Sequence, residues 1–319
     1  MPPTLAELGV DPKEVLSRCG LAPDALDKPD GAIPFAKVGE LLVACVKASG
    51  CPHFGLLLGQ KAALTYFGLA GELMRNAPTL GDAIRDGVAN HHRYVRGGVI
   101  YLFPLKDEIL LGYAVYQRGV QGVAQICDYV IAGFCRQIRD ATGIDPIEIL
   151  LAHKCPGEMA EYKRHYRVPI RFNAEMSGLI LSKSSLATNI DGADPSTRKL
   201  LQERIDSYWA AGAPSIVSRT QRALYPSILL GGATIANIAQ SLSMHQRALN
   251  RRLRDHNTSF RAELERLRFE LARQLLANTS IQITQISLAF GYSAANVFTR
   301  SFRRWSGKTP MEWRARRLS

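Results

Sequence analysis

Two stretches in the last third of the chain place arginine and asparagine at helical spacing. In the first, Arg247, Asn250, Arg251 and Arg254 recur at i, i+3, i+4 and i+7; in the second, Asn296, Thr299, Arg300 and Arg303 do the same. At 3.6 residues per turn each set forms one stripe of a helix. Arginine presents a planar fork of donors that matches the O6 and N7 acceptors of guanine, and asparagine pairs in a similar two-point way with adenine. Neither stripe contains an acid, whereas a merely solvated face ordinarily mixes in Glu and Lys. These residue types at this spacing point to readout of base edges in a DNA major groove.

A helix can carry such a stripe into a groove only if its other side is held. Ile235–Leu253 and Ile283–Phe302 repeat one pattern that does this. Ile235, Ile238, Ala239 and Leu242 correspond to Ile283, Ile286, Ser287 and Phe290, and beyond the turn Leu249, Arg251 and Leu253 correspond to Phe298, Arg300 and Phe302. Each copy reads as a short helix, a turn and a second helix, the helix-turn-helix arrangement, over about 235–254 and 283–305. The small residues Ala239 and Ser287 let the second helix cross closely, and Gly291 suits the positive φ of the second turn. Between the copies, 259–277 reads as one amphipathic helix with Phe260, Leu264, Leu267, Leu271 and Leu275 on its buried side. At 1.5 Å per residue it is roughly 28 Å long. That length sets two recognition helices about one DNA turn, roughly 34 Å, apart. Asn257 suits the left-handed conformation where the preceding helix ends.

The charge is partitioned in the same way. The chain has 319 residues and a net charge of +12. Residues 1–212 hold 23 basic and 23 acidic side chains, residues 213–319 hold 17 and 5, and 16 of those 17 are arginine. A neutral body followed by a basic domain implies a polyanionic partner for the second domain alone. The small, helix-breaking stretch 210–214 coincides with the charge step, so 1–212 and 213–319 are the predicted domains.

The body reads as α+β. Helical periodicity covers 15–19 and 35–49, the latter started by Pro34; Thr79 caps a helix over 80–91, and 120–141 returns to helix. Short β-branched and aromatic runs at 98–104 and 109–116 form a hairpin around Lys106-Asp107-Glu108. Further strands are predicted at 147–153, 168–172 and 178–181, with a helix over 157–166, and Asp194 and Pro195 start a last helix to 210. After it the chain is all-helical. The cluster His91-His92-Arg93-Tyr94 with Tyr101, Tyr113 and Tyr116 reads first as surface and core-edge residues and second as ligand contacts, so the effector-binding residues stay unassigned.

Several function classes are disfavoured. No apolar run approaches the ~18–20 residues of a membrane span, and no secretory leader pattern opens the chain. The six cysteines form no CxxC pair and read as reduced thiols, which points to the cytoplasm. No HExxH, GxSxG, P-loop or post-strand GxGxxG occurs, and neither His nor Cys shows metal-ligand spacing. No catalytic residue, cofactor or metal is therefore expected. An enzyme fused to a DNA-binding domain stays a possible but disfavoured reading, as does an architectural DNA binder, since two distinct faces imply base readout.

The segment TSFRAELERLRFELARQLLANTSIQITQISLAFGYSAANVFTRSFRRWSGKTPMEWR resembles the signature of the AraC/XylS family of bacterial transcription regulators. The match runs from Ile235 to Arg314, and its closing FxRxFRRWxGxTPxxWR pattern is specific. In the body, FGLAGELMRNAPTLGDAI and YKRHYRVPIRFNAEMSGLIL resemble an arabinose-binding-type sensor domain. The departures are Ser243 for the usual turn glycine and His245 for the usual capping serine of the first copy. The resemblance implies base contacts from Gln246, Arg247, Asn250 and Arg251 in copy one and from Ala295, Asn296, Thr299 and Arg300 in copy two. Ala295 cannot hydrogen-bond, so it either reads nothing or touches a thymine methyl. Arg252, Arg254, Arg303, Arg304 and Lys308 become phosphate or packing groups, and Gly307, Pro310 and Trp313 structural ones. The resemblance further implies double-stranded DNA and RNA polymerase as partners, a small-molecule effector, a homodimer and no membrane. The expected function is an effector-responsive activator, the alternatives being a repressor or an effector-independent regulator.

Overall fold

The runs β1 (Gly98–Pro104) and β2 (Glu108–Val115) pair as an antiparallel hairpin in the computed structural model, which describes residues 1–26, 32–117, 119–209, 215–229, 233–242, 244–278 and 281–315. The chain opens with α1 (Pro2–Glu7), α2 (Pro12–Arg18), α3 (Phe35–Ser49) and α4 (Phe54–Gly59). A 3-10 turn at Leu64–Phe67 then leads into α5 (Gly68–Arg75) and α6 (Leu80–Tyr94). After the hairpin come α7 (Val123–Thr142), β3 (Glu148–Leu150), α8 (Met159–Tyr166), β4 (Ile170–Arg171), β5 (Ser177–Ser182) and α9 (Pro195–Trp209). The five strands form one sheet in the order β1-β2-β5-β3-β4, antiparallel except for β3 with β4. The body is thus α+β, as expected.

Local chemistry explains most boundaries. The Thr79 hydroxyl accepts from the Asp82 amide at 3.2 Å to start α6, and Asp194 accepts from the Ser196 amide at 2.9 Å to start α9. The strands predicted at 147–153 and 168–172 shrink to three and two residues, because the chain leaves the sheet early. Beyond β3 the Ala152 amide donates to Ser177 Oγ at 3.1 Å, and the His153 ring turns to Asp128. Fully buried Asp128 accepts from Tyr162 Oη at 2.7 Å and from His153 Nε2 at 3.0 Å, tying α7 to α8 and to the end of β3. Helix α4 is apolar on all sides and so shows no amphipathic period. Its Gly55 and Gly59 lie against the α7 backbone, where an added Cβ would meet Gln125 O at 2.3 Å and Tyr129 O at 2.4 Å.

The remainder is helical among the described residues: α10 (Ile216–Leu229), α11 (Ile235–Ser241), α12 (Gln246–Arg254), α13 (Phe260–Asn278), α14 (Ile283–Ala289), α15 (Ala295–Ser306) and α16 (Pro310–Ala315). The predicted boundary at 210–214 and the turn residue Ser243 lie outside the described residues. Helix α10 packs on α6 as well as on α13, and Gln282 Nε2 donates to Glu175 Oε1 at 2.8 Å. No helix among the described residues is long and apolar enough to cross a membrane.

Candidate nucleic-acid interface

Helix α12 is built from two opposed faces. Leu249 and Leu253 are fully buried, while Gln246, Arg247, Arg251, Arg252 and Arg254 are exposed and Asn250 is half-buried. Gln246, Arg247, Asn250, Arg251 and Arg254 line one open hollow together with Gln240 and Met244. Helix α11 sets the crossing: Thr234 caps it through the Asn237 amide, and Ala239 is buried where Met244 N returns to its carbonyl at 2.8 Å. His245 stands at the N-cap of α12 and supplies no side-chain cap, so the first amides of α12 are not satisfied by it.

The second copy repeats the arrangement with a larger core. Phe298 and Phe302 of α15 are fully buried, and Asn296, Arg300, Arg303 and Arg304 are exposed. Ala295, Thr299 and Lys308 are half-buried. The turn before α15 passes through Gly291 at φ 73°, and Asn257 adopts φ 55° ahead of α13. The aromatic residues of the closing motif hold this unit together: the Phe302 ring lies 5.6 Å from Phe269, 5.7 Å from Trp313 and 5.8 Å from Phe298. Gly307 ends α15 at φ 72°, and buried Pro310 begins α16.

Electrostatics separates these cations into two kinds. Among the described residues no carboxylate lies within ion-pairing distance of Arg247, Arg251, Arg252, Arg254, Arg300, Arg303 or Lys308. Arg304 differs, since its guanidinium lies 2.8 Å from Glu265, which also accepts from Arg261 at 3.1 Å and Trp305 at 3.4 Å. Three of the five acids of 213–319 sit on α13, and none on α12 or α15. Buried Glu263 accepts from Gln221 at 2.7 Å and Thr258 at 2.8 Å, which fixes α10 to the start of α13. Helix α13 spans 19 residues with Leu264, Leu267, Leu271 and Leu275 buried, one continuous spacer between the two units.

In the body, Tyr101 and Tyr113 are core residues, and the His91 ring meets Tyr113 edge-on at 5.7 Å. Tyr94 is exposed at the end of α6. Sequence reasoning missed a cavity of about 400 Å³ bounded by α5, α6, α7 and the sheet. Its lining comes from residues far apart in the chain, such as Leu64, Ile84, Leu111, Phe134 and Ile190, which leave no local pattern to find.

Comparison with known proteins finds a separate match in each part of the chain. Residues 9–190 match the family model described as the arabinose-binding domain of AraC transcription regulator, N-terminal, and residues 238–316 match a helix-turn-helix domain model. The chain is 28% identical over 320 residues to the HTH-type transcriptional regulator VirS of Mycobacterium tuberculosis, covering 98% of this chain and 93% of that protein. It is 22% identical over 324 residues to the ornithine utilization regulator of Pseudomonas aeruginosa, covering 97% and 92%. The crystal structure of transcriptional regulator CdpR from Pseudomonas aeruginosa aligns over 98% of this chain and 97% of that one, at 21% identity and a TM-score of 0.47.

Proposed function

Because the chain belongs to the AraC family of DNA-binding transcription regulators, we propose that its α12 and α15 read DNA bases while residues 1–212 sense a small molecule and pair with a second copy. The observation that carries base readout is the pair of acid-free faces, each opposed by fully buried apolar residues. A helix held in this way presents its polar side chains as a fixed set, as groove recognition requires. In this reading Gln246, Arg247, Asn250 and Arg251 contact bases from α12, and Ala295, Asn296, Thr299 and Arg300 from α15. Arg252, Arg254, Arg303 and Lys308 contact phosphates. Arg304, held by Glu265, acts mainly in packing.

Effector binding favours the conformer in which two DNA-binding units fit two half-sites, and the regulator then activates by contact with RNA polymerase in the cytoplasm. It works without enzymatic activity. Selection of bound sequences from a random DNA pool by the full chain tests this. Enrichment of one motif with two half-sites supports it, and uniform recovery of the pool refutes base readout. A promoter reporter distinguishes the activator from the repressor reading, and sedimentation of the chain checks the dimer.

A further inference from the structure

The cavity of the body has a chemistry of its own. Its inner wall is apolar, formed by Leu80, Ile84, Ile100, Leu111, Phe134 and Ile138. A smaller compartment of about 30 Å³ shares Met74, Gly87 and Phe134 with it and reaches Asn90 and His91. The charged groups of the lining are Glu72, Arg75, Arg136, Asp140 and the exposed Asp191, and both arginines are already paired: Arg75 with Glu72, and Arg136 with Asp140 at 3.1 Å while it also donates to the Gln60 carbonyl. Gln137 is the polar side chain common to both compartments.

The volume falls in the ~300–1,000 Å³ range of small-molecule sites, which are mostly apolar with a few placed polar groups. A pentose fits poorly. Its hydroxyls that face this inner wall are buried without hydrogen-bond partners, which disfavours binding. An anion meets arginines that already have carboxylate partners.

The walls also hold the helices that flank residues 210–214. Helix α9 packs on α5 through Leu73, Leu201 and Ile205. Arg198 of α9 clamps Asp86 of α6 with bonds of 2.5 and 3.1 Å and reaches the Leu73 carbonyl at 3.3 Å. Helix α10, the first of the basic domain, packs on α6. A ligand that favours one spacing of α5 and α6 therefore biases the helices on both sides of residues 210–214.

We infer that this cavity is the effector site and that it takes an uncharged, predominantly apolar small molecule rather than a carbohydrate. The inference rests on the sensing role proposed for residues 1–212. Its test titrates the full chain with N-phenyl-1-naphthylamine, an uncharged apolar fluorescent probe, and with L-arabinose as the polyol. The variant Gly87→Leu fills the cavity: a Cβ at Gly87 meets only the flexible end of Met74, at 3.1 Å from Cε and 3.4 Å from Sδ. Ala141→Leu fills it from α7 and serves if the first variant fails to fold, as judged by circular dichroism.

One saturable probe site per chain is expected, with affinity at least about tenfold weaker in the folded variants and no displacement by L-arabinose. Equal probe binding by wild type and a folded variant, or displacement by L-arabinose, overturns the assignment. Failure of the sensing role reads out separately, as a transcription reporter whose output is identical for wild type and Gly87→Leu while the probe is still excluded.

Discussion

Replacing Arg251 with alanine separates recognition from folding at a single side chain. Arg251 is exposed on α12, and among the described residues no carboxylate pairs with it. Alanine is the better helix former, so removing the guanidinium leaves the fold's stability within about 0.5 kcal/mol of wild type. If Arg251 reads a base as proposed, the same change on a selected cognate site should cost one two-point contact, about 1–3 kcal/mol, or about 5- to 150-fold in Kd. On random DNA it removes one phosphate-range charge, which lowers the slope of log Kobs against log salt by about 0.9 at most. Fluorescence anisotropy with the cognate site, a site altered at each position in turn, and random duplex measures all three quantities. The variant should lose discrimination at one base pair and keep it elsewhere. An equal loss on cognate and random DNA, or a fall in Tm large enough to explain the loss, refutes the base-reading role.

Other substitutions probe the supports of the site. Phe302→Ala empties the aromatic core of the second unit and should cost about 3–5 kcal/mol, seen as a separate early transition in urea with DNA affinity lost in parallel. Arg198→Ala leaves the largely buried Asp86 carboxylate without its two-point partner, a loss of about 1.5–3 kcal/mol in urea denaturation, and Asp86→Asn in that background should recover part of it. The pH dependence of the body follows from His153. Burial lowers its pKa, but the hydrogen bond and charge of Asp128 and the Lys154 carbonyl outweigh burial and raise it above 6.5. Both ring nitrogens face acceptors, Asp128 Oδ1 at 3.0 Å and Lys154 O at 2.8 Å, an arrangement that only the protonated ring satisfies. A raised folded-state pKa gives stability that is complete below the unfolded value and is lost as pH rises through the folded one. Tm should therefore fall as the pH passes upward through that window, and His153→Asn should flatten the fall; an unchanged profile in the variant refutes the assignment.

Much of the DNA-binding third was legible because its signals are local. The apolar repeat of Ile235–Leu253 and Ile283–Phe302 has the helical period, and the acid-free stripes follow from the same period. Observed helices at Gln246–Arg254 and Ala295–Ser306 carry those stripes opposite Leu249, Leu253, Phe298 and Phe302. In the body, Phe35–Ser49 was delimited residue for residue by its stripe and by Pro34 at its start, and the structure ends it at Gly50 in the left-handed conformation. Helix α4 was not legible, since Phe54–Gly59 is apolar on every side, and the edge strands β3 and β4 are too short to alternate.

By itself, then, the sequence determined the +12 charge of residues 213–319, the two faces and the two-copy repeat, because composition and period are properties of neighbouring residues. The tertiary structure decided which cations remain available and where a cavity forms. Glu265 takes Arg304 but leaves Arg300 and Arg303 exposed; Asp86 takes Arg198 from 112 positions away; and the cavity forms only where α5, α6, α7 and the sheet converge. Such pairings depend on the path of the chain through space, and a contact between distant residues imposes no periodicity on either partner's neighbours.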